Sequence, residues 1–185
     1  MSRGPDDGAE AAPKPHPNEW YRNFNPPFTI AEQAIHTPRP LRLLIVGAGA
    51  SGLLAAYKAA RQLQNVTFVC YEKNDDVGGT WYENRYPGVE IDSPSHSYQW
   101  SFRPNPNWSA FMSPGAEIWR YLKDWAVESD ILKDVKLGHR VESAVWNEAE
   151  GLWELKGRTT DGHDFSDRGQ ILISCNGALK SVWHI

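Results

Sequence analysis

Cysteine is scarce in this chain: only Cys70 and Cys175 occur in 185 residues. They lie far apart and in no metal-like spacing, which argues against a disulfide framework and a thiolate zinc site. Each falls in an apolar run that reads as a strand, so both are expected to be buried structural thiols in a reducing compartment. Long hydrophobic runs are also missing, and none approaches the ~18 apolar residues of a membrane span. Met1-Ser2-Arg3-Gly4-Pro5 carries no apolar signal core, and the expectation is a soluble, cytoplasmic protein. Excess charge of either sign is absent as well. A net charge of −4 and a pI near 5.9 give no reason to expect nucleic acid or an anionic membrane as a partner.

What is present is an ordinary globular composition, 41% hydrophobic and 23% charged, with two biases. Nine tryptophans are read mainly as large apolar anchors of a small core. Eight of the thirteen prolines fall within residues 1–40, which marks a Pro-rich leader unable to hold regular hydrogen-bonded structure. Its first fifteen or so residues are expected to be disordered. The stretch Asn18 to Phe24, with Trp20, is aromatic enough to pack down. Residues 41–185 are expected to form the folded domain.

Leu43-Leu44-Ile45-Val46 is a short continuous apolar run ending in glycines, the pattern of a strand buried on both faces. Ser51 to Gln64 carries Leu53, Leu54, Ala55, Ala56, Ala59 and Ala60 and predicts a helix. Asn65 to Glu72 predicts a second strand, which completes one βαβ unit. Residues 73–112 have little periodicity and read as a long structured loop, a feature that is usually functional. Ser113 and Pro114 predict the N-cap and first turn of a helix with Ile118, Tyr121, Leu122 and Trp125 on its apolar face. The turn signals Glu150-Gly151 and Asp161-Gly162 then divide a β-meander, with strands at Arg140 to Trp146 and Leu152 to Arg158, and a final strand at Ile171 to Ser174. The expected class is α/β: a Rossmann-like βαβ domain with an inserted helix and loop region and a β-meander.

The chemistry concentrates in Gly47-Ala48-Gly49-Ala50-Ser51-Gly52, which follows a strand and opens a helix. Gly47 permits the tight turn, Gly49 lets the backbone approach a pyrophosphate, and Gly52 allows close helix–strand packing. The pyrophosphate then lies at the helix N-terminus, with the Ser51 N–H and hydroxyl nearby. Glu72 stands twenty residues after Gly52, where an acid accepts the adenosine ribose hydroxyls and disfavours a 2′-phosphate. The site therefore calls for FAD or NAD rather than NADP.

Behind Glu72 come Gly78-Gly79-Thr80-Trp81-Tyr82-Glu83-Asn84-Arg85-Tyr86-Pro87-Gly88 and then Asp92. With the glycine loop, Tyr71-Glu72-Lys73, Tyr98-Gln99-Trp100-Ser101-Phe102, Pro104 to Trp108 and Cys175 to Leu179, these residues resemble the class B, Baeyer–Villiger-type flavoprotein monooxygenases. The similarity is greatest to fungal members that act in sterol-like and secondary-metabolite oxidations, and it runs from Leu41 to the last residue. It implies that Ser51 and Glu72 bind the FAD pyrophosphate and ribose. Thr80, Trp81, Tyr82 and Glu83 would line the flavin end, Tyr98 would contact FAD, and Val141 would pair its backbone with the adenine edge. Gly177 would let the chain pass close to the cofactor. Asp92 would be the catalytic acid near flavin and nicotinamide, in a segment Glu90-Ile91-Asp92 that NADPH touches. This chain has Glu90-Ile91 where many members carry Arg-Cys or Ala-Cys, and a glutamate there repels the phosphates of NADPH.

The family's oxidation of a ketone or related small molecule needs FAD, NADPH and O₂. It also uses a second glycine-rich nucleotide domain, which this sequence lacks. Three alternatives follow: a fragment or split subunit of a Baeyer–Villiger-like monooxygenase, with a second chain as one source of the NADPH domain, an FAD-binding remnant or accessory, or a small FAD oxidoreductase with another electron donor.

Overall fold

The computed structural model describes Ala34 and residues 36–177. The chain divides into two units, Met1–Thr37 and Pro38–Ile185. The expectations for the leader, including Trp20, lie outside the described residues, as do Trp183 and the Ala178-Leu179 end of the last motif. Everything below concerns the second unit.

Four parallel strands form the central sheet. They are β1 (Leu41–Val46), β2 (Val66–Tyr71), β3 (Val135–Lys136) and β7 (Ile171–Ser174), in the order β3-β2-β1-β7. Helix α1 (Ala50–Gln62) connects β1 to β2. Leu43, Ile45 and Cys70 pack with α1 and with α3 (Gly115–Glu128), while Leu44, Val69 and Tyr71 face the other way. Burial on both faces is why β1 reads as an unbroken apolar run rather than an alternating one.

The second face is covered by an antiparallel meander of β4 (His139–Asn147), β5 (Leu152–Thr159) and β6 (Asp164–Gly169). Val141 and Leu155 supply its contribution to that core. Helices, parallel sheet and meander thus make three layers around two apolar interfaces. The meander is tied to the sheet by polar contacts as well. The Tyr71 hydroxyl donates to Asp167 Oδ2 at 2.6 Å, and Arg42 Nε donates to Asp167 Oδ1 at 2.9 Å. Burial pushes the Asp167 carboxyl up, but its bonds from Arg42 and Tyr71 outweigh that and hold it below the usual carboxylate range.

Several expectations are corrected in detail. Ser113 does not cap α3: Pro114 occupies the N-cap position, with φ −58 and ψ 147, so Ser113 stands one residue too early. Its hydroxyl donates to the Ala110 carbonyl at 3.3 Å and its N–H to Ser95 Oγ at 2.9 Å. Cys70 is fully buried as expected, whereas Cys175 lies just past β7 and is half-buried. Burial raises both thiols above their ordinary pKa. The 73–112 segment holds a helical turn α2 (Thr80–Glu83) and a 3₁₀ turn at Ser95–Ser97. It is pinned by aromatics: Trp108 is buried, and Trp100 packs on Trp125 with ring centroids 4.0 Å apart. The tryptophans are not uniformly anchors, since Trp146 on the meander is 41% exposed.

Candidate cofactor-binding site

The carboxyl ends of three parallel strands converge on one crevice, the position where open α/β sheets take their ligands. β1 delivers Gly47, β2 delivers Glu72, and β7 delivers Cys175 to Gly177. The chain after β7 is held there by Cys175 N–H donating to the Val46 carbonyl at 2.7 Å.

The glycine loop has the shape its spacing implies. Gly47 turns with φ +96, a region that favours glycine. A Cβ on Gly52 would sit 1.7 Å from the Gly47 carbonyl oxygen, so nothing larger fits where α1 meets the loop. Gly49 occupies the N-cap of α1 and offers no capping side chain. Leu53 N–H is the first to find an acceptor on the loop, the Gly49 carbonyl at 3.0 Å. Helix geometry therefore leaves the N–H groups of Ala50, Ser51 and Gly52 without intrahelical partners. Ala50 and Ser51 line the crevice, at the positive end of the helix dipole.

Glu72 is only 3% exposed, and its carboxylate is well anchored. Oε2 accepts the Ala48 N–H at 2.7 Å, and Oε1 accepts both the N–H and the side-chain amide of Asn74, at 3.0 and 2.8 Å. Ala48 belongs to the glycine loop, so the acid at the end of β2 fixes the turn at the end of β1. A carboxylate offers about four lone-pair sites. Three donors leave room on Oε2 for one more hydroxyl.

The far end of the crevice is formed by the glycine pair and α2. Gly78 N–H donates to the Ala48 carbonyl at 2.9 Å. Gly79, with φ +53, passes so close to the loop that a Cβ there would lie 2.9 Å from Gly49 Cα. Trp81 Nε1 donates to the Tyr98 hydroxyl at 3.0 Å, and their rings meet edge to face. The crevice has a volume of about 360 Å³, within the roughly 300–1,000 Å³ usual for small-ligand sites.

The structure brings together most of the candidate residues. Gly47, Gly49, Ser51, Glu72, Thr80, Trp81, Glu83, Tyr98, Val141 and Gly177 all line the crevice, and Gly52 supports it from below. Tyr82 does not line it; its hydroxyl donates to Asp75 and its ring lies under the Arg85 guanidinium, 4.4 Å away. Ile91 is buried in the core at 2% exposure, and Asp92 is exposed. Glu90 lines a second, adjoining cleft of about 520 Å³ with Arg85, Tyr86 and Trp119. Trp81 borders both clefts.

Residues given no site role from the sequence also reach the crevice, among them Tyr71, Lys73, His139 and Arg140. His139 Nδ1 lies 2.7 Å from the Leu137 carbonyl, an oxygen that can only accept. Its position, two residues before Val141 on one strand, was the signal that could have drawn it in. Among the described residues no cluster of His, Cys, Asp or Glu could hold a metal.

This arrangement defines a dinucleotide-binding Rossmann domain, and similarity to known proteins narrows the class. The family described as "NAD(P)-binding Rossmann-like domain" matches residues 45–114. The FAD-binding monooxygenase moxY of Dothistroma septosporum is 40% identical over 147 residues, covering 77% of this chain and 24% of that protein. The FAD-binding monooxygenase tazF of Aspergillus terreus is 42% identical over 149 residues, covering 80% of this chain and 26% of its own length. The open crystal structure of cyclohexanone monooxygenase superimposes with a TM-score of 0.67 at 32% identity, covering 78% of this chain and 28% of that one. An oxidized steroid monooxygenase bound to NADP gives 0.66 at 33% identity, covering 80% and 28%. The chain thus carries a Rossmann-like domain similar, over about four fifths of its length, to fungal FAD-binding monooxygenases, with cyclohexanone and steroid monooxygenases among its structural neighbours. It spans about a quarter of the length of the relatives it matches. No helix among the described residues is long and apolar enough to cross a membrane.

Proposed function

We propose that this domain binds FAD and forms the flavin-holding part of a Baeyer–Villiger-like monooxygenase. The observation that carries the reading is the anchoring of Glu72 to Ala48. An acid poised for a ribose hydroxyl and a turn shaped for a pyrophosphate are thereby one rigid unit. The Ala50, Ser51 and Gly52 N–H groups take the pyrophosphate, Glu72 Oε2 accepts the ribose, and the Val141 backbone borders the adenine. Thr80, Trp81, Glu83 and Tyr98 border the flavin end. When bound, the flavin supplies the redox chemistry with O₂, while the protein orients it and excludes water.

The fungal relatives named as FAD-binding monooxygenases and the NADP-bound neighbour support a complete reaction that consumes O₂ as oxidant and NADPH as electron donor, and we take its substrate to be a small organic ketone or related molecule of fungal secondary metabolism. Asp92, exposed beyond the buried Ile91, is the candidate acid on the nicotinamide side. The remaining residues for the nicotinamide, on this reading, come from outside the described domain, such as a second chain. Exposed Glu90 opposes phosphate binding next to the second cleft.

The test is to purify the chain, add FAD, remove the excess and record the absorbance, then add NADPH under anaerobic conditions. Retained yellow flavin is the expected result, and a colourless protein would contradict the assignment. Bleaching by NADPH would show that this chain alone completes the reductive half-reaction, against the role proposed for outside residues.

A further inference from the structure

Asn74 is a residue to which the motif-based reading gives no part, yet it holds the two carboxylates of the crevice together. Its side-chain Nδ2 donates one hydrogen to Glu72 Oε1 at 2.8 Å and the other to Glu83 Oε1 at 2.9 Å. Its main-chain N–H donates to the same Glu72 oxygen at 3.0 Å. Both side-chain contacts are carboxylate oxygens, so the amide must present its nitrogen to them; the opposite flip would set a carbonyl oxygen against two anions. Glu83 closes α2, the turn carrying Trp81, and its charge is balanced by Lys73 Nζ at 2.8 Å. The Asn74 carbonyl accepts Gly138 N–H at 2.8 Å, just before His139 enters β4, while His139 N–H donates to the Glu72 carbonyl at 2.7 Å. One side chain thus joins the ribose acid of β2 to the start of the Trp81 loop, and its backbone joins both to the meander.

We propose that Asn74 is a positioning residue that fixes the rotamer of Glu72 so that its free lone pair meets the ribose hydroxyl of a bound dinucleotide. The proposal rests on the FAD reading above and adds a specificity-determining residue to it. Three bonds from Asn74 and Ala48 occupy Glu72, and two of them come from Asn74. Without its amide, Glu72 keeps only the main-chain donors of Ala48 and Asn74 and loses its link to Glu83, so its carboxylate is no longer held toward the ribose. A hydrogen bond to a charged group of this kind is worth a factor of about 10 to 100 in affinity.

The experiment titrates the full chain, as wild type and as Asn74→Ala and Asn74→Asp, with FAD, ADP and 2′,3′-dideoxy-ADP. Far-ultraviolet circular dichroism and thermal melting check the fold of each variant. FAD and ADP are expected to bind the variants about 10- to 100-fold more weakly, with a negligible loss for the dideoxy analogue, which has no hydroxyl for Glu72 to accept. The loss should also vanish in a Glu72→Gln background, read from the Glu72→Gln single variant and its double variant with Asn74→Ala, with the same checks of fold. An equal loss for the dideoxy analogue, or none for ADP, would overturn the role. A wild-type chain that binds neither FAD nor ADP would instead overturn the cofactor reading, and this role with it.

Discussion

Glu72 at the end of β2 accepts the main-chain N–H of Ala48, at the end of β1, through Oε2 at 2.7 Å. That bond makes the acid proposed for the ribose and the glycine turn a single element. Glu72→Gln should therefore cost more than a ribose contact, because its amide end must face a donor at Ala48 or at Asn74. FAD affinity should fall at least about tenfold, measured by quenching of flavin fluorescence, while the far-ultraviolet spectrum is unchanged.

The loop itself is sterically closed. Gly52→Ala would drive a methyl into the Gly47 carbonyl, 1.7 Å from the ideal Cβ position. Relief requires α1 to move off the sheet, at a cost of about 3 kcal/mol. A thermal unfolding midpoint lower by several degrees checks this; an unchanged midpoint would show that the helix start is more adaptable than its packing implies.

The bond between the layers is acid-sensitive. Asp167 has a folded pKa below its unfolded value of about 3.9. Its stabilising contribution is therefore complete at neutral pH, above the unfolded value, and is lost as pH falls through the lower folded one. Asp167→Asn removes the anion from Arg42 and Tyr71 and should cost about 1–3 kcal/mol at pH 7. Urea unfolding at pH 7 and near pH 3 should show the difference between variant and wild type shrinking in acid.

Trp125, on the buried face of α3, packs against Trp100, Tyr57 and Phe102 and is 4% exposed. Trp125→Ala should destabilise by about 3–5 kcal/mol and loosen the 73–112 segment. Faster proteolysis within that segment than elsewhere is the outcome to look for.

Much of this was legible in the sequence. A continuous apolar run, a glycine spacing and a strand-closing acid sit within one βαβ unit, and each reflects a local requirement of backbone or burial. The limits of β7 at Ile171 and Ser174 and the apolar face of α3 followed from the same periodicities. The two-residue β3 was not legible, because its pairing with β2 depends on tertiary position rather than on pattern. Nor was α2, a four-residue turn set by Gly78 and Gly79 and by the Gly49 approach. Asn74 and His139 escaped notice because their roles arise from what the fold brings beside them. Ser113 misled because a serine before a proline suits an N-cap, but here the proline itself takes that place.

The central claim is that the crevice recognises the adenosine diphosphate half of FAD through Glu72 and the start of α1. Isothermal titration of the purified chain with FAD and with FMN, which lacks the adenosine and one of the two phosphates, tests it most directly. The account predicts binding of FAD at least about a hundredfold tighter than of FMN. Equal affinities, or no binding of FAD, would contradict it.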